Sequence, residues 1–166
     1  MDETNALEKI IRYQQNKDPL YPFQEHLLMQ LCLRVNKKIQ DNMEKGLGRY
    51  GINYSMYMVL VILFTAENHC LSPTEISREL RFTRTNVTRI TDSLEKAGYT
   101  ERKDNRADRR GKKISLTSRG VFFIKKISFM QAIYLKKIWG SLSGDEREWF
   151  AAINKKLLIH LTEGRR

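Results

Sequence analysis

Residues 72–120 read SPTEISREL, RF, TRTNVTRITDSLEKAG, YTERK, DNRADRRG, KKISL and TSRG, and this stretch decides the fold. In the first segment Ser72 is placed to cap a helix, Pro73 takes its first position and Glu75 follows the cap by three residues. That spacing is a capping box with proline where it costs least. Arg81-Phe82 makes a turn. The second segment has Thr83 as its cap, Val87, Ile90 and Leu94 at spacings of three and four, and Gly98 just beyond its end. Such spacing gives a helix with one buried stripe. Tyr99, Glu101 and Lys103 then alternate on the way up, and Lys112, Ile114 and Leu116 on the way down. DNRADRRG between them has the turn formers and charges of a loop. The reading is a helix-turn-helix followed by a basic β-hairpin.

The face opposite the buried stripe carries Arg84, Thr85, Asn86, Thr88, Arg89 and Asp92. These short or forked hydrogen-bonding groups suit base edges and phosphates in a major groove better than they suit plain hydration. Asn86 is a candidate adenine reader and Arg84 a guanine or phosphate reader; Arg89 faces DNA or pairs with Asp92 or with the hairpin. Ser72 and Thr83, the two helix caps, are counted with them as DNA-binding candidates. From Arg102 to Lys113 there are seven basic residues against the two acids Asp104 and Asp108. A loop of that charge calls for a polyanion, and a nucleic-acid backbone fits. Arg106, Arg109, Lys112 and Lys113 are assigned to phosphates.

The whole chain agrees. Its 166 residues suit a single domain, and 41% hydrophobic with 30% charged residues describes a globular protein with a core. Thirty Lys and Arg against 19 Asp and Glu leave a formal charge of +11, which favours a polyanionic partner. The N-terminus MDETNALEKI lacks the pattern of a secretory signal, and the longest apolar run, Met56 to Phe64, is too short to cross a bilayer. A cytoplasmic protein without membrane partners is expected. Two cysteines and three histidines show neither metal-site spacing nor a disulfide framework, so no metal or cofactor is expected.

Outward from the centre the elements are helical. Asn5 to Tyr13 is either a short helix on a partner subunit or a mobile arm, and Pro19 and Pro22 break any helix there. Phe23 to Lys45 repeats apolar residues at Leu28, Leu31, Cys32, Val35, Ile39 and Met43, closed by Gly46 and Gly48. Asn53 caps a helix from Tyr54 to about Glu67, whose run MYMVLVILF is apolar all round and therefore buried. His69 to Ser72 can add a short third strand. A long helix from Thr117 to about Trp139 carries Val121, Phe122, Ile124, Ile127, Met130, Ile133, Leu135 and Ile138. Ser143 and Glu146 open the last helix with a second capping box, ahead of Trp149, Phe150, Ile153, Leu157, Leu158 and Leu161. The outer helices hold more apolar surface than the 72–120 centre needs, which predicts a homodimer of interlocking N- and C-terminal helices. Two such centres one duplex turn apart would read a pseudo-palindromic operator.

At this point the chain resembles the MarR family of bacterial winged-helix regulators, through Thr88-Arg89, Leu94-Glu95, Gly98, Asp108-Arg109-Arg110-Gly111 and Leu116-Thr117. The resemblance runs from about Tyr21 onward, and YPFQEHLLMQLCLRV and RTNVTRITDSLEKAGY look most like the EmrR-type repressors of multidrug efflux operons. It implies a mainly α fold with a small β-hairpin wing. The whole of 1–166 forms one MarR-type domain, with a DNA-binding winged helix over 53–116 and a helical dimerisation region from 21–48 and 117–163. It also implies that Arg110 enters the minor groove while Asp108 fixes the wing loop, and an A·T-rich groove would reward that guanidinium. By the same resemblance a small aromatic or amphipathic effector binds near the first, second and fifth helices. His26, Met29, Met56, Tyr57, Val61 and Phe64 are the candidates, although such residues at helical spacing are more often plain core.

Three other readings compete. One branch of the family senses peroxide through a cysteine on its first helix, and Gln30-Leu31-Cys32 resembles it. No tyrosine follows Cys32 before Tyr50, however, and Cys32 lies on the apolar stripe, so a buried core cysteine is expected, and likewise for Cys70. An enzyme would need converging catalytic groups, and Asp92 with Glu95 is the nearest approach. A winged helix used for protein contacts alone conflicts with so basic a wing.

Overall fold

The computed structural model describes residues 3–104 and 112–163, so Arg106, Asp108, Arg109 and Arg110 lie outside the described residues. The chain divides into two compact units at Tyr57/Met58.

The first unit holds α1 (Glu3–Lys17), α2 (Phe23–Gly48) and the opening turn of α3 (Tyr54–Thr65). α1 packs on α2 and is longer than the sequence suggests. Leu7 and Ile11, one turn apart, are only 4% and 1% exposed. Two residues are too sparse to register as a period, yet they are enough to anchor a helix. Pro19 and Pro22 fall in the turn between the helices, where Asp18 Oδ1 accepts the Leu20 N–H at 3.0 Å. α2 does not stop where the sequence suggests. It runs through Gly46 and ends at Gly48, and the glycine that takes the left-handed conformation is Gly51, at φ +74°. Asn53 Oδ1 accepts the Met56 N–H at 2.9 Å, and the Glu44 carboxylate takes the Tyr54 N–H, joining the end of α2 to the start of α3.

The second unit continues α3 and adds a helical turn at Glu67–His69, β1 (Cys70–Leu71), α4 (Pro73–Leu80), α5 (Arg84–Lys96), β2 (Thr100–Asp104), β3 (Lys112–Leu116), α6 (Ser118–Trp139) and α7 (Gly144–Glu163). Of the run expected to be buried all round, Val59, Leu60 and Leu63 of α3 are fully buried while the other residues from Met56 to Phe64 are half-buried in the single chain. The three strands form an antiparallel sheet in the order β1-β3-β2, with Cys70 opposite Ser115 and Arg102 opposite Ile114. The hairpin and its short third strand are thus present. Ile76 of α4, Val87, Ile90 and Leu94 of α5, Ile114 and Leu116 of β3, and Ile124 and Ile127 of α6 make the core.

The local start signals hold. Ser72 and Glu75 form the capping box in both directions, Thr83 Oγ1 accepts the Asn86 N–H, and Thr117 Oγ1 accepts the Gly120 N–H. Ser143 and Glu146 repeat the box at the start of α7. At the join between α6 and the hairpin, a Cβ on Gly120 would stand 2.0 Å from the Tyr99 carbonyl oxygen, so only glycine fits.

The outer faces of α6 and α7 remain bare in the single chain: Phe122 is 73% and Trp149 71% exposed, and Ile153, Leu157, Leu158 and Leu161 are exposed along with them. No helix among the described residues is long and apolar enough to cross a membrane.

Candidate nucleic-acid interface

The turn between α4 and α5 is tight. Arg81 caps α4 with a left-handed backbone, φ 53°, and the Ser77 hydroxyl donates to the Phe82 carbonyl at 2.6 Å. The turn sets Thr83 at the start of α5, whose buried residues Val87, Ile90, Thr91 and Leu94 fix which face is left outside.

That outside face carries the expected reading residues. Arg84, Thr85, Thr88 and Arg89 are exposed and Asn86 is half-buried. Arg84 and Thr85 lie in the first turn of α5, which has no acid, so the unpaired N–H groups and the positive helix end face an approaching anion unopposed. Thr88 donates its hydroxyl to the Arg84 carbonyl at 3.1 Å. Arg89 Nη2 donates to Asn86 Oδ1 at 3.1 Å, which orients the amide and leaves its NH2 group as a donor. A bidentate grip on adenine therefore requires Arg89 to give up that oxygen. Ser72 is half-buried, and its oxygen accepts the Glu75 N–H at 3.2 Å. Its hydroxyl hydrogen is what remains for a phosphate.

The hairpin stem differs from the sequence reading in one respect. Arg102 belongs to the run of basic residues read as anion-seeking, yet it is already occupied. Its Nη1 donates to Glu95 at 2.7 Å and its Nη2 donates to Asp92, both on α5. The Asp92 hydrogen bond raises the Arg102 pKa above its ordinary value, and the charges of Glu95 and Asp92 act the same way. Arg89 thus pairs with Asn86, and the partner of Asp92 is Arg102. Lys103 pairs with Glu101 at 2.9 Å and exposed Lys112 stands 3.7 Å from Asp104 across the hairpin. Glu75 is held below the usual carboxylate range, first by the Ser72 backbone N–H and then by the Ser72 side chain, with Lys113 and Arg78 adding attraction.

The effector candidates are divided between the units. His26, Met29, Met56 and Tyr57 belong to the first unit, Val61 and Phe64 to the second. Met29 is 59% exposed and the others are half-buried. His26 is tied by its ring nitrogens to the Tyr21 hydroxyl and to Gln30, whose side-chain oxygen accepts from Arg34 at 2.8 Å. Tyr21 and Gln30 are the polar neighbours that sequence spacing did not reveal. Cys32 is exposed and Cys70 half-buried, against the expectation of two core cysteines. The stripe that includes Cys32 faces outward in the single chain, as Leu28 and Val35 also do.

Residues 52–112, from the start of α3 to the second strand of the wing, match the model of the MarR family. The HTH-type transcriptional regulator PrsX of Escherichia coli is 66% identical over 163 residues, covering 98% of each chain.

The chain belongs to the MarR family.

Its members are DNA-binding transcriptional regulators and not enzymes, so Asp92 and Glu95 have no catalytic role to fill. The EmrR-type likeness stands in the transcriptional repressor MprA of Escherichia coli strain K12, an EmrR-type protein 36% identical over 157 residues, covering 95% of this chain and 89% of MprA. Among solved structures, a variant of MarR from Escherichia coli complexed with operator DNA is 26% identical with a TM-score of 0.70, covering 79% of this chain and 93% of that one. The mainly helical fold with its small antiparallel sheet is therefore the winged helix of the family.

Proposed function

We propose that two copies of this chain bind a pseudo-palindromic duplex, each placing α5 in a major groove and its wing in the flanking minor groove. The observation that carries this reading is the exposed face of α5, where Arg84, Thr85, Thr88 and Arg89 stand clear around Asn86 at an acid-free helix start. Arg84 and Asn86 read bases; Thr85, Thr88, Arg89, Ser72 and Thr83 hold or read nearby groups; Lys112 takes a phosphate. Arg106, Asp108, Arg109 and Arg110 complete the wing, with Arg110 in the minor groove. The bare apolar faces of α6 and α7 support dimerisation through 21–48 and 117–163, with 53–116 as the DNA-binding part. Such a protein works where the DNA is, in the cytoplasm.

Ligand control is proposed from the family resemblance alone. A small aromatic or amphipathic effector, with His26, Met29, Met56, Tyr57, Val61 and Phe64 as candidate contacts, lowers operator affinity, and by linkage DNA lowers effector affinity equally. MprA, a transcriptional repressor, supports repression; an efflux or stress-response operon as the target rests on the EmrR-type resemblance. PrsX, with the higher identity, is named only a regulator, so a promoter assay decides the direction of control. A second reading is peroxide sensing through Cys32, whose thiol is exposed in the single chain but lies in the 21–48 region proposed to dimerise.

The test is binding of the purified protein to its own upstream DNA across a salt series, with and without salicylate-like phenols and mild peroxide. Tight, salt-sensitive binding released by phenols supports the effector reading, and release by peroxide alone supports Cys32. No specific duplex binding refutes the proposal.

A further inference from the structure

We infer that Arg102 is a positioning residue that clamps the wing to α5, so that helix and wing meet the duplex as one rigid body, and that it is not a phosphate contact. This rests on the proposal that α5 and the wing bind DNA. One guanidinium spans two carboxylates: Nη1 donates to Glu95 and Nη2 to Asp92, three residues apart and on one face of α5. The planar fork suits two acceptors at once, which an ammonium does not.

The geometry gives the clamp a purpose. β2 has a buried residue only at its start, Thr100; Glu101, Arg102, Lys103 and Asp104 are exposed. Core packing holds β2 at Thr100 and, through its ladder to buried Ile114 of β3, as far as Arg102; beyond that position no residue of either strand is buried to set the angle of the hairpin to α5. The pairs of Lys103 with Glu101 and of Lys112 with Asp104 stay within the hairpin. Among the described ion pairs of the hairpin, those of Arg102 are the ones that cross to α5, from mid-strand opposite buried Ile114. It also covers two acids on a helix that approaches DNA. A wing that must enter a minor groove while α5 sits in the major groove binds better when that angle is fixed beforehand.

Direct contact and clamping make opposite predictions. The test uses a duplex selected from random sequence by the wild-type protein, with affinities measured across a salt series. Arg102→Ala is expected to weaken binding about tenfold with the salt slope unchanged, because no phosphate contact is lost. Asp92→Ala with Glu95→Ala is expected to weaken binding to a similar degree, although it removes two negative charges. Adding Arg102→Ala to that pair costs little more, as for groups acting as a unit. Arg102→Lys recovers only part of the affinity. In the DNA-free protein, Arg102→Ala speeds amide hydrogen exchange over 101–104, a readout independent of DNA binding.

Tighter binding by the Asp92/Glu95 variant, or a slope lowered by about one in Arg102→Ala, overturns the clamp in favour of direct contact. Unchanged exchange over 101–104 overturns it also. If the wild type selects no duplex, the DNA-binding proposal fails, while the exchange result still judges the clamp.

Discussion

Replacing Gly120 by Ala should destabilise the protein, where the same change in most helices stabilises it. Ala is favoured over Gly in a helix interior by about 1 kcal/mol, so the bare expectation is a gain. At Gly120 the added Cβ would lie 2.0 Å from the Tyr99 carbonyl oxygen and 2.9 Å from its carbon, whereas ordinary contact begins at 3.4 Å. Backbone must therefore move by about 1.4 Å. The atoms in the way are main chain, so no side chain can swing aside. That carbonyl also accepts the Thr117 N–H at 3.1 Å, and Tyr99 stacks on Phe123 with ring centres 4.0 Å apart. Overpacking of this kind costs about 1–3 kcal/mol and a strained hydrogen bond about 1 more. After the propensity gain, a net loss of about 1–3 kcal/mol remains. Urea unfolding followed by far-UV circular dichroism, at one protomer concentration, measures it. Gly46→Ala is the control, because nothing lies within 4 Å of a Cβ there, and it should stabilise by about 0.5–1 kcal/mol. Equal effects of the two substitutions would refute the reasoning.

Other expectations follow from the same features. Glu75 has a lowered pKa in the folded state, so its contribution is full above the ordinary Glu value of 4.5 and is lost as pH falls through the folded value. Glu75→Gln keeps the capping geometry and should flatten the acid limb of the stability curve; an unchanged limb would contradict the assignment. Trp149→Ala with Leu157→Ala should shift the protein toward monomer in sedimentation and weaken operator binding. Retention of full dimer mass would place the dimer contact elsewhere. Leu7→Ala should cost about 2–5 kcal/mol if its burial anchors α1, and a loss below 1 would make α1 dispensable.

Much of the fold was legible because its signals are local. Ser72, Thr83, Thr117 and Ser143 each satisfy backbone donors within three residues, so the chain alone reveals them. Alternation likewise exposed the hairpin. The misreadings involve partners distant in sequence. Arg102 counted as a free cation because Asp92 and Glu95 lie ten and seven residues earlier, across a turn. Cys32 was expected in the core because its stripe is apolar, but periodicity says which residues share a face and not whether anything in the same chain covers it. Gly46 and Gly48 looked like a stop since composition cannot show which glycine takes a positive φ; Gly51 does. Of the site, the α5 face was legible from residue type, while the Asn86–Arg89 bond required coordinates.

The most direct test is a pair of substitutions compared on two duplexes, one selected by the wild-type protein and one scrambled. If α5 reads bases and the hairpin holds phosphates, Asn86→Ala loses about 1–3 kcal/mol on the selected duplex and little on the scrambled one. Lys112→Ala should lose the same on both and lower the salt slope by about one. Equal losses for Asn86→Ala on the two duplexes would contradict the account at its centre.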